Sequence, residues 1–595
     1  MLQTYSLIWI LLTRQERWRF VMLVLLTLMM SVFEVVGVAA ILPFLSVLGN
    51  PDLIETNAML ATFARLTGLG DTQHIIIALG LSVFALIIVS MAVRAIVTYL
   101  QIRFSLMRAY ALSSRLLRGY LSQSYVWFLS RNTSELGQSL LSEVDTVVRE
   151  SILPAVLLIS NVSVVLLIGG LLFLVEPGVA IGATGTLLSV YLAVFFGLRR
   201  RLSEMGRKRM ASNKARFRIV QETTGGLKEL KVMGLENQSM QRFRDTAHSM
   251  ARYQTTGLVI ARLPRYALEA ATYGGFIIMI LVLIMRRGDT MADLIPLLGL
   301  IGMSATKLFP ALQQMFQQLS SIRFSQPALI RLTQNMTEMA PAQKDADVAP
   351  LRLRETLEMS NLHFRYPAGE NDTLAGLSLR IPARTTLGIV GGTGAGKTTV
   401  IDLILGLLVP DSGEIRVDGA PVTPDRIRAW QKSLGYVPQH IFLADNSVAG
   451  NIAFGAAPGD IDMAAVERAA RIANLHDFVV TQLPEGYQTP VGERGVRLSG
   501  GQRQRIGIAR ALYHDPDVLI LDEATSALDN LTERAVMEAI HNLGSEKTVI
   551  MIAHRLSTVE KCDSIFLLEG GRLAAQGTFA ELVAENDAFR RMANG

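Results

Sequence analysis

The segment LGIVGGTGAGKTTVIDLILGLL, Leu387 to Leu408, places an apolar run, a glycine-rich loop and an amphipathic helix pattern one after another. The spacing G-x-x-x-x-G-K-[ST] is fulfilled by Gly391, Gly396, Lys397 and Thr398. Glycines let backbone N–H groups close around a phosphate, and the lysine brings a positive charge to it. Because this strand, loop and helix context is the one that the spacing requires, the segment predicts binding of ATP or GTP.

A second motif, DVLILDEATSALD, covers Asp517 to Asp529. Its apolar residues Val518 to Leu521 predict a buried strand that ends in two carboxylates, Asp522 and Glu523. Asp522 is suited to hold Mg²⁺ through water, with the Thr398 hydroxyl as a second ligand, while Glu523 is placed to polarise the attacking water. Two solvated acids that cap a strand are the alternative, but the glycine loop favours nucleotide hydrolysis.

The first half of the chain is apolar enough to lie in a membrane. Of the 595 residues of the whole chain, 50% are hydrophobic. The mean hydropathy of the whole chain, +0.34, is high for a soluble protein of this length. Stretches of about 20 apolar residues, enough to cross about 30 Å of hydrocarbon, recur about six times. They lie near Phe20–Leu48, Ile75–Leu100, Ile152–Val175, Val179–Leu198, Tyr266–Met285 and Leu294–Met315. We therefore expect an α-helical six-transmembrane domain at 1–335, a linker at 336–354 and a cytoplasmic α/β P-loop ATPase domain at 355–595.

Lysine and arginine residues indicate which side of the membrane is cytoplasmic. They are frequent in the N-terminal tail, in 103–149 and in 199–262, whereas the loop 49–73 holds only Arg65. Both termini are therefore predicted to be cytoplasmic. The sequence pI of about 9.4 arises mainly from those basic segments, so it favours contact with anionic lipid and not with nucleic acid. The single cysteine, Cys562, excludes an intramolecular disulfide and a cysteine-built zinc site.

The sequence LSGGQ, Leu498 to Gln502, is followed directly by RQRIGIARAL. On these motifs, which other P-loop enzymes lack, the chain resembles the ATP-binding cassette (ABC) family over essentially its whole length. The resemblance implies that Tyr366 in FRYP stacks on adenine and that Gln439 in YVPQH senses Mg²⁺. It also implies that Asp529 links the two sites of a dimer and that His554 in IAHRLS holds the γ-phosphate.

The same resemblance assigns nucleotide contacts to the whole glycine loop and to the signature. These residues are Gly391, Gly392, Thr393, Gly394, Ala395, Gly396, Lys397, Thr398, Thr399, Ser499, Gly500, Gly501 and Gln502. Because each motif position carries the family's usual residue, we expect true hydrolysis of ATP with Mg²⁺, with Glu523, His554 and Gln439 as the catalytic residues.

The chain has one P-loop and one signature. In the family, the signature of one cassette closes on the ATP held by another, so the chain resembles a half-transporter, and a homodimer is its simplest assembly. Six helices fused to one cassette, and the stretch TPVGERG at 489–495, resemble the exporter type, here of a bacterial inner membrane. The segments 124–132 and 226–234 are candidate coupling helices, or else ordinary amphipathic helices.

Three cations lie deep in the predicted membrane domain. Counting about 1.5 Å per residue puts Arg94 and Arg265 roughly 30 Å, and Lys307 roughly 20 Å, from the outer ends of their helices. If all three face the cavity of a dimer, six positive charges would attract a phosphate or pyrophosphate head group. An Arg94 that merely snorkels to water is the alternative.

Two acids could instead neutralise these cations. Arg265 and Glu269 are four residues apart on one helix face and can pair. Glu34 lies mid-way through the first predicted helix and could also pair with the cations. Arg94 and Lys307 have no acid nearby in sequence, so we expect these two to carry the contact with an anionic cargo.

The membrane half is most similar to bacterial lipid-linked oligosaccharide flippases. The similarity rests on FEVVGVAAILPF, VRAIVTY and LPRYALEA, and on the amphipathic segment at 53–69, where that family has an external helix. The leading hypothesis is ATP-driven flipping of a polyprenyl-pyrophosphate glycan, although Lys307 stands where the flippases have an arginine. A lipid A-core or hydrophobic-drug exporter is an alternative. An ATP-gated regulator is another, which intact Glu523 and His554 disfavour.

Overall fold

The computed structural model describes most of the chain in two compact units. The described residues are 2–68, 71–263, 265–267, 269–270, 273–275, 277–278, 281, 291–339, 348–367, 369–524, 530–543, 546–553 and 555–594. The first unit consists of 1–123 and 131–343, and the second of 124–130 and 344–595.

In the described residues of the first unit, all regular secondary structure is helical. Its α-helices are Leu2–Leu11, Arg14–Ala39, Ile41–Gly49, Leu53–Thr56, Ala58–Thr67, Thr72–Leu121, Thr133–Gln138, Val144–Val147, Leu153–Val175, Pro177–Gly225, Leu227–Met233, Glu236–Arg262 and Met291–Glu338. Two π-helical turns, Ser139–Glu143 and Val148–Ile152, interrupt the helical stretch that begins at Thr133. The amphipathic segment at 53–69 and the segment at 226–234 thus contain the helices that their patterns predict.

Three helical stretches of the described residues are long and apolar enough to cross a membrane. They are Arg14–Gly49, Thr72–Leu121 and Thr133–Val175, and they contain the first three predicted apolar runs. The fourth and sixth runs lie within helices Pro177–Gly225 and Met291–Glu338. The fifth run, Tyr266–Met285, lies largely outside the described residues. The membrane-spanning helical domain predicted from the sequence is therefore confirmed as a class.

Close packing of two long helices depends on a glycine. A Cβ atom on Gly206, in helix Pro177–Gly225, would lie 1.9 Å from the backbone oxygen of Phe324 in helix Met291–Glu338. Any side chain at this position would therefore force the two backbones apart. The glycine lets them meet at van der Waals distance, where dispersion contacts are strongest.

The second unit contains two β-sheets. Its strands are β1 (Thr356–Phe364), β2 (Leu374–Pro382), β3 (Thr386–Gly391), β4 (Ser412–Val417), β5 (Ala420–Pro421), β6 (Leu434–Val437), β7 (Val518–Asp522), β8 (Thr548–Ile552), β9 (Ser564–Glu569) and β10 (Arg572–Gly577). An antiparallel sheet has the order β2-β1-β4-β5, and a six-stranded sheet has the order β10-β9-β3-β8-β7-β6. In the larger sheet only β10 runs antiparallel to its neighbour.

The α-helices of the second unit surround these sheets. They are Tyr125–Leu129, Lys397–Ile404, Ile427–Gln431, Val448–Ile452, Met463–Ile472, His476–Gln482, Gly500–Leu512, Asn530–Leu543, Phe579–Glu585 and Asp587–Asn594. The predicted strand, glycine loop and helix are confirmed by β3 and Lys397–Ile404. The segment at 124–132 forms a short helix, whose Val126 packs against the apolar core of this unit.

The central strands of the larger sheet are buried on both faces. In β7, Val518 and Ile520 belong to one apolar cluster, whereas Leu519 and Leu521 belong to a second. Successive side chains of a strand point to opposite faces, so a strand covered on both sides needs an unbroken apolar run. This is why the sequence reads VLIL before the two acids. The carboxyl ends of parallel β3 and β7 meet at one edge, where the functional residues collect.

Candidate nucleotide site and membrane cavity

The glycine loop after β3 has a backbone that two of its glycines make possible. Gly396 has φ of +96°, a value that side chains with a Cβ rarely adopt. A Cβ on Gly391 would lie 2.3 Å from the carbonyl oxygen of Leu568. The exposed Gly392 and Gly394 have no atom within 4 Å of where a Cβ would be. The loop is therefore open on its outer side, where a phosphate group fits.

Lys397 is the first residue of the following helix, and its ammonium bridges the loop. Nζ donates to the carbonyl oxygens of Gly391 at 2.7 Å and Gly392 at 3.0 Å. Burial lowers the pKa of Lys397, and the carboxylates of Glu523 and Asp522 oppose that shift. These acids help the amine to keep its proton in the loop, so its charge is already positioned for an anion.

Glu523, the acid that directly follows β7, has an unusual backbone conformation. Glu523 has φ of +50°, a left-handed conformation that costs a non-glycine residue about 1–2 kcal/mol. Its backbone N–H donates to the Ile552 carbonyl at 3.2 Å, and its Oε2 accepts from Gln439 Nε2 at 2.8 Å. Two of the three predicted catalytic residues, Gln439 and Glu523, are therefore in direct contact. Strain of this kind persists where the surrounding structure fixes a side chain for function.

Neighbouring residues complete the edge of the sheet. Thr398 is exposed, while Thr399 is buried and its hydroxyl lies 3.3 Å from the Tyr366 hydroxyl. The Tyr366 ring meets Phe364 edge to face, with 5.0 Å between the ring centroids. Tyr366 is thus fixed beside the loop. His554 and Asp529, to which the resemblance gives roles, lie outside the described residues.

A Mg²⁺ ion and a nucleotide fit these residues. No group of three or more His, Cys, Asp or Glu side chains forms a metal cluster in the described part of the chain. Mg²⁺ does not need such a cage, because it is usually bound by one or two protein oxygens together with phosphate oxygens and water. Asp522 and the Thr398 hydroxyl are suitable oxygen donors for this arrangement.

The signature starts a helix with a reciprocal cap. Ser499 Oγ accepts from the backbone N–H of Gln502 at 3.2 Å, and Gln502 Oε1 accepts from the backbone N–H of Ser499 at 2.7 Å. Gly500 and Gly501 form the first turn of the helix Gly500–Leu512. Their N–H groups have no partner within the helix itself, so this end offers donors to an anion.

In the first unit, Arg94 and Lys307 share one acidic partner. Arg94 Nη1 lies 2.6 Å, and Lys307 Nζ 3.9 Å, from Oε1 of Glu34. The alternative that Glu34 pairs with these cations is therefore confirmed, because the fold brings the first helix against the second and the sixth. All three residues line a cavity of about 410 Å³, together with Ser160, Asn161 and Thr306.

Arg265 lies elsewhere. Its Nε is 2.7 Å from Oε1 of Glu269, so the predicted pair within that helix is confirmed. The arginine side chain is 52% exposed, and the cavity that contains Arg94 is lined by other residues of the described chain. Within the single chain, Arg94 and Lys307 thus line one cavity, whereas Arg265 is exposed. That all three face the cavity of a dimer stays a prediction.

Sequence reasoning missed the neutral polar residues of the cavity, Ser160, Asn161 and Thr306. Asn161, in the apolar helix Leu153–Val175, donates from Nδ2 to Oε1 of Gln318 at 3.3 Å. An amide inside an apolar run is unusual in a membrane helix and is itself a signal for a functional cavity.

A membrane-spanning helical unit and a P-loop unit with an LSGGQ helix define an ABC exporter half-transporter. The chain belongs to the ABC transporter family: residues 19–303 match the ABC transporter transmembrane region, and residues 374–526 match the ABC transporter domain.

Several curated relatives share this organisation. An ATP-dependent lipid A-core flippase of Cupriavidus pinatubonensis is 36% identical over 400 residues, which are 66% of each chain. The flippase of the same name from Pseudomonas aeruginosa is 34% identical over 379 residues, 63% of this chain and 61% of its own. The chain thus spans about two thirds of the length of the curated relatives it matches. A solved bacterial Atm1-family ABC exporter with ATP bound has a TM-score of 0.77 at 24% identity, covering 97% of both chains, which shows the shared fold.

Proposed function

We propose that two copies of this chain form an ATP-driven lipid exporter of a bacterial inner membrane, with both termini in the cytoplasm. The proposal rests mainly on one observation. The side chains of Gln439 and Glu523 are hydrogen-bonded to each other, and Lys397 is hydrogen-bonded to the glycine loop. The names of the curated relatives support lipid as the class of cargo. We further propose a membrane domain at 1–335, a linker at 336–354 and an ATPase domain at 355–595.

Each residue of the nucleotide site has a proposed role. Tyr366 stacks on adenine, the amides of 391–399 surround the phosphates, and Lys397 neutralises their charge. Asp522 and Thr398 hold Mg²⁺, which when bound spreads the charge of the phosphates. Gln439 fixes the Glu523 carboxylate at 2.8 Å, so that one of its oxygens can accept a proton from the attacking water. His554 orients the γ-phosphate.

The second chain completes the site. Ser499, Gly500, Gly501 and Gln502 of one copy would face the phosphates held by the other, with Asp529 between the two sites. The Ser499 cap already points amide donors outward from the helix start, which suits an anion. Hydrolysis would separate the copies because the phosphate that joins them is lost.

For the cargo we propose a lipid with a polyanionic head group, most concretely a polyprenyl-pyrophosphate-linked oligosaccharide. The support comes from the cavity with Arg94 and Lys307, since one acid against two cations leaves a net positive charge. Of the five N–H donors of the Arg94 guanidinium, the described residues engage Nη1 through Glu34, and others can reach a phosphate.

A lipid A-core glycolipid is the second candidate, and the names of the curated relatives favour it. The two candidates can be separated in liposomes that contain the purified dimer, ATP and one labelled lipid at a time. We expect flipping of the pyrophosphate-linked glycan, whereas flipping of lipid A-core alone would transfer the assignment to the second candidate. ATP turnover that moves neither lipid would favour a drug exporter or a regulator.

Replacing Arg94 with alanine should impair both transport and stability. Loss of a charge-assisted contact costs about 1.5–3 kcal/mol, or roughly tenfold or more in cargo affinity. The change also leaves Glu34, whose side chain is 2% exposed, with Lys307 at 3.9 Å as its cationic partner. Removing one member of a fully buried pair destabilises a protein by about 3–5 kcal/mol, and the loss here should be smaller because Arg94 is 38% exposed. Both cargo affinity and melting temperature should therefore be measured.

A double variant separates these two effects. Arg94→Ala combined with Glu34→Ala removes the uncompensated acid, so the melting temperature should recover while flipping stays low. Arg94→Lys should restore flipping only in part, since the charge returns without the planar fork. Full flipping by a stable Arg94→Ala protein, or by the double variant, would remove Arg94 from the cargo site.

A further inference from the structure

Glu34 is the most deeply buried charge of the membrane cavity. Its side chain is 2% exposed, against 38% for Arg94 and 16% for Lys307. The two cations are therefore more accessible than the carboxylate that they contact. Since Oε1 contacts Arg94 and also lies nearest to Lys307, one acid holds the two positive groups side by side.

This arrangement lowers the charge that a lipid encounters. Two cations alone would present a charge of +2, whereas the cluster with an ionised Glu34 presents +1. Three neutral polar side chains, Ser160, Asn161 and Thr306, line the same cavity. Asn161 Nδ2 already donates to Leu157 and Gln318, and the Thr306 hydroxyl donates to the Met303 carbonyl, so the Ser160 hydroxyl is the group that can donate to a further oxygen of a head group. The cavity is thus weakly cationic.

Ordinary phospholipids are the main competitors for such a site. They surround the protein in large excess, and their phosphodiester carries a single negative charge. A phosphodiester that replaced Glu34 at Arg94 would exchange one negative charge for another and gain little. A pyrophosphate brings more charge than the carboxylate it displaces, so it gains from the exchange.

We infer that Glu34 is a specificity-determining residue, an internal counter-ion that masks Arg94 and Lys307 from monoanionic phospholipids and yields to a polyanionic head group. The inference rests on the proposed lipid-export function and deepens it. Discrimination between lipids then depends on an acid of the protein itself. If the two cations only attracted anions, the abundant phospholipids would usually occupy the site.

The test compares Glu34→Gln with the parent chain in nanodiscs. Binding of radiolabelled farnesyl pyrophosphate is measured in nanodiscs of phosphatidylcholine alone. It is measured again in nanodiscs in which roughly a third of the lipid is phosphatidylglycerol, an anionic phosphodiester lipid. For the parent chain, added phosphatidylglycerol should leave the apparent Kd within about twofold. For Glu34→Gln, binding in phosphatidylcholine should be at least as tight. Added phosphatidylglycerol should raise the apparent Kd of this variant by about tenfold, because it competes for the unmasked cations.

Glu204→Gln is the matched control, since it makes the same change in an exposed ion pair with Lys208. It should respond to phosphatidylglycerol as the parent chain does. If Glu34→Gln does not fold, Glu34→Asp keeps the charge on a shorter side chain and should give a sensitivity to phosphatidylglycerol between those of the two proteins.

The outcomes distinguish the inference from the function beneath it. A parent chain that binds farnesyl pyrophosphate, together with a folded Glu34→Gln protein that is insensitive to phosphatidylglycerol, would overturn the counter-ion role alone. A parent chain as sensitive as the variant would do the same. A parent chain that binds no farnesyl pyrophosphate in phosphatidylcholine would overturn the proposed pyrophosphate cargo, and the inference with it.

Discussion

Glutamine in place of Glu523 is expected to stop ATP turnover while ATP still binds. The amide oxygen can still accept the hydrogen bond that Gln439 Nε2 now gives to the carboxylate at 2.8 Å, so the geometry of the site should survive. The amide cannot accept a proton from water, and loss of a general base typically costs about 10²–10⁴-fold in rate. Phosphate release and equilibrium binding of labelled ATP, measured on one preparation, give the two quantities.

Because bound ATP is no longer consumed, the Glu523→Gln protein should also accumulate as a closed dimer. Crosslinking or light scattering with and without ATP would detect this state. Glu414→Gln is a suitable control, since Glu414 forms an exposed ion pair with Arg416 in the same unit. Near-normal phosphate release from the Glu523 variant would rule out Glu523 as the base.

Alanine in place of Lys397 is expected to remove ATP binding itself. The ammonium bridges the carbonyl oxygens of Gly391 and Gly392, so the variant loses the phosphate's cation and the clamp that shapes the loop. Loss of a charged hydrogen-bonding group leaves phosphate oxygens unpaired and costs about 1.5–3 kcal/mol for each contact. Equilibrium binding of a fluorescent ATP analogue should therefore weaken by more than about tenfold.

The exposed Lys561 provides the matched control for this substitution. Lys561→Ala should bind the analogue as the parent chain does. ATP affinity that is unchanged in the Lys397 variant would mean that the loop amides alone hold the phosphates, and the role proposed for this lysine would be withdrawn.

Local spacing explains why much of the nucleotide site could be predicted from the sequence. The glycines, Lys397 and Thr398 lie within eight residues of one another, and the backbone that they form depends on their own φ angles. The positive φ of Glu523 and its contact with Gln439 could not be predicted in the same way. The contact joins residues 84 positions apart. It forms only when β6 and β7 pair in the sheet.

The membrane unit was predicted less completely, for a related reason. Hydropathy identifies apolar helices one at a time, but it does not reveal which faces meet. Glu34 and Arg94 are 60 positions apart, so sequence spacing made Arg94 look unpaired. Arg265 and Glu269 were predicted as a pair because an interval of four residues on one helix fixes their proximity by itself.

The helix Thr72–Leu121 has 50 residues, so it is a rod about 75 Å long, of which about 30 Å suffices to cross the hydrocarbon of a bilayer. Such a helix can tilt as one rigid body. A tilt of about 5° moves one of its ends by about 6 Å relative to the other, while every hydrogen bond along it is kept. Arg94 lies near its middle, so a push at the inner end would shift the cation by about half that distance. Transmission of motion along the helix in this way needs no unfolding and no change in side-chain conformation.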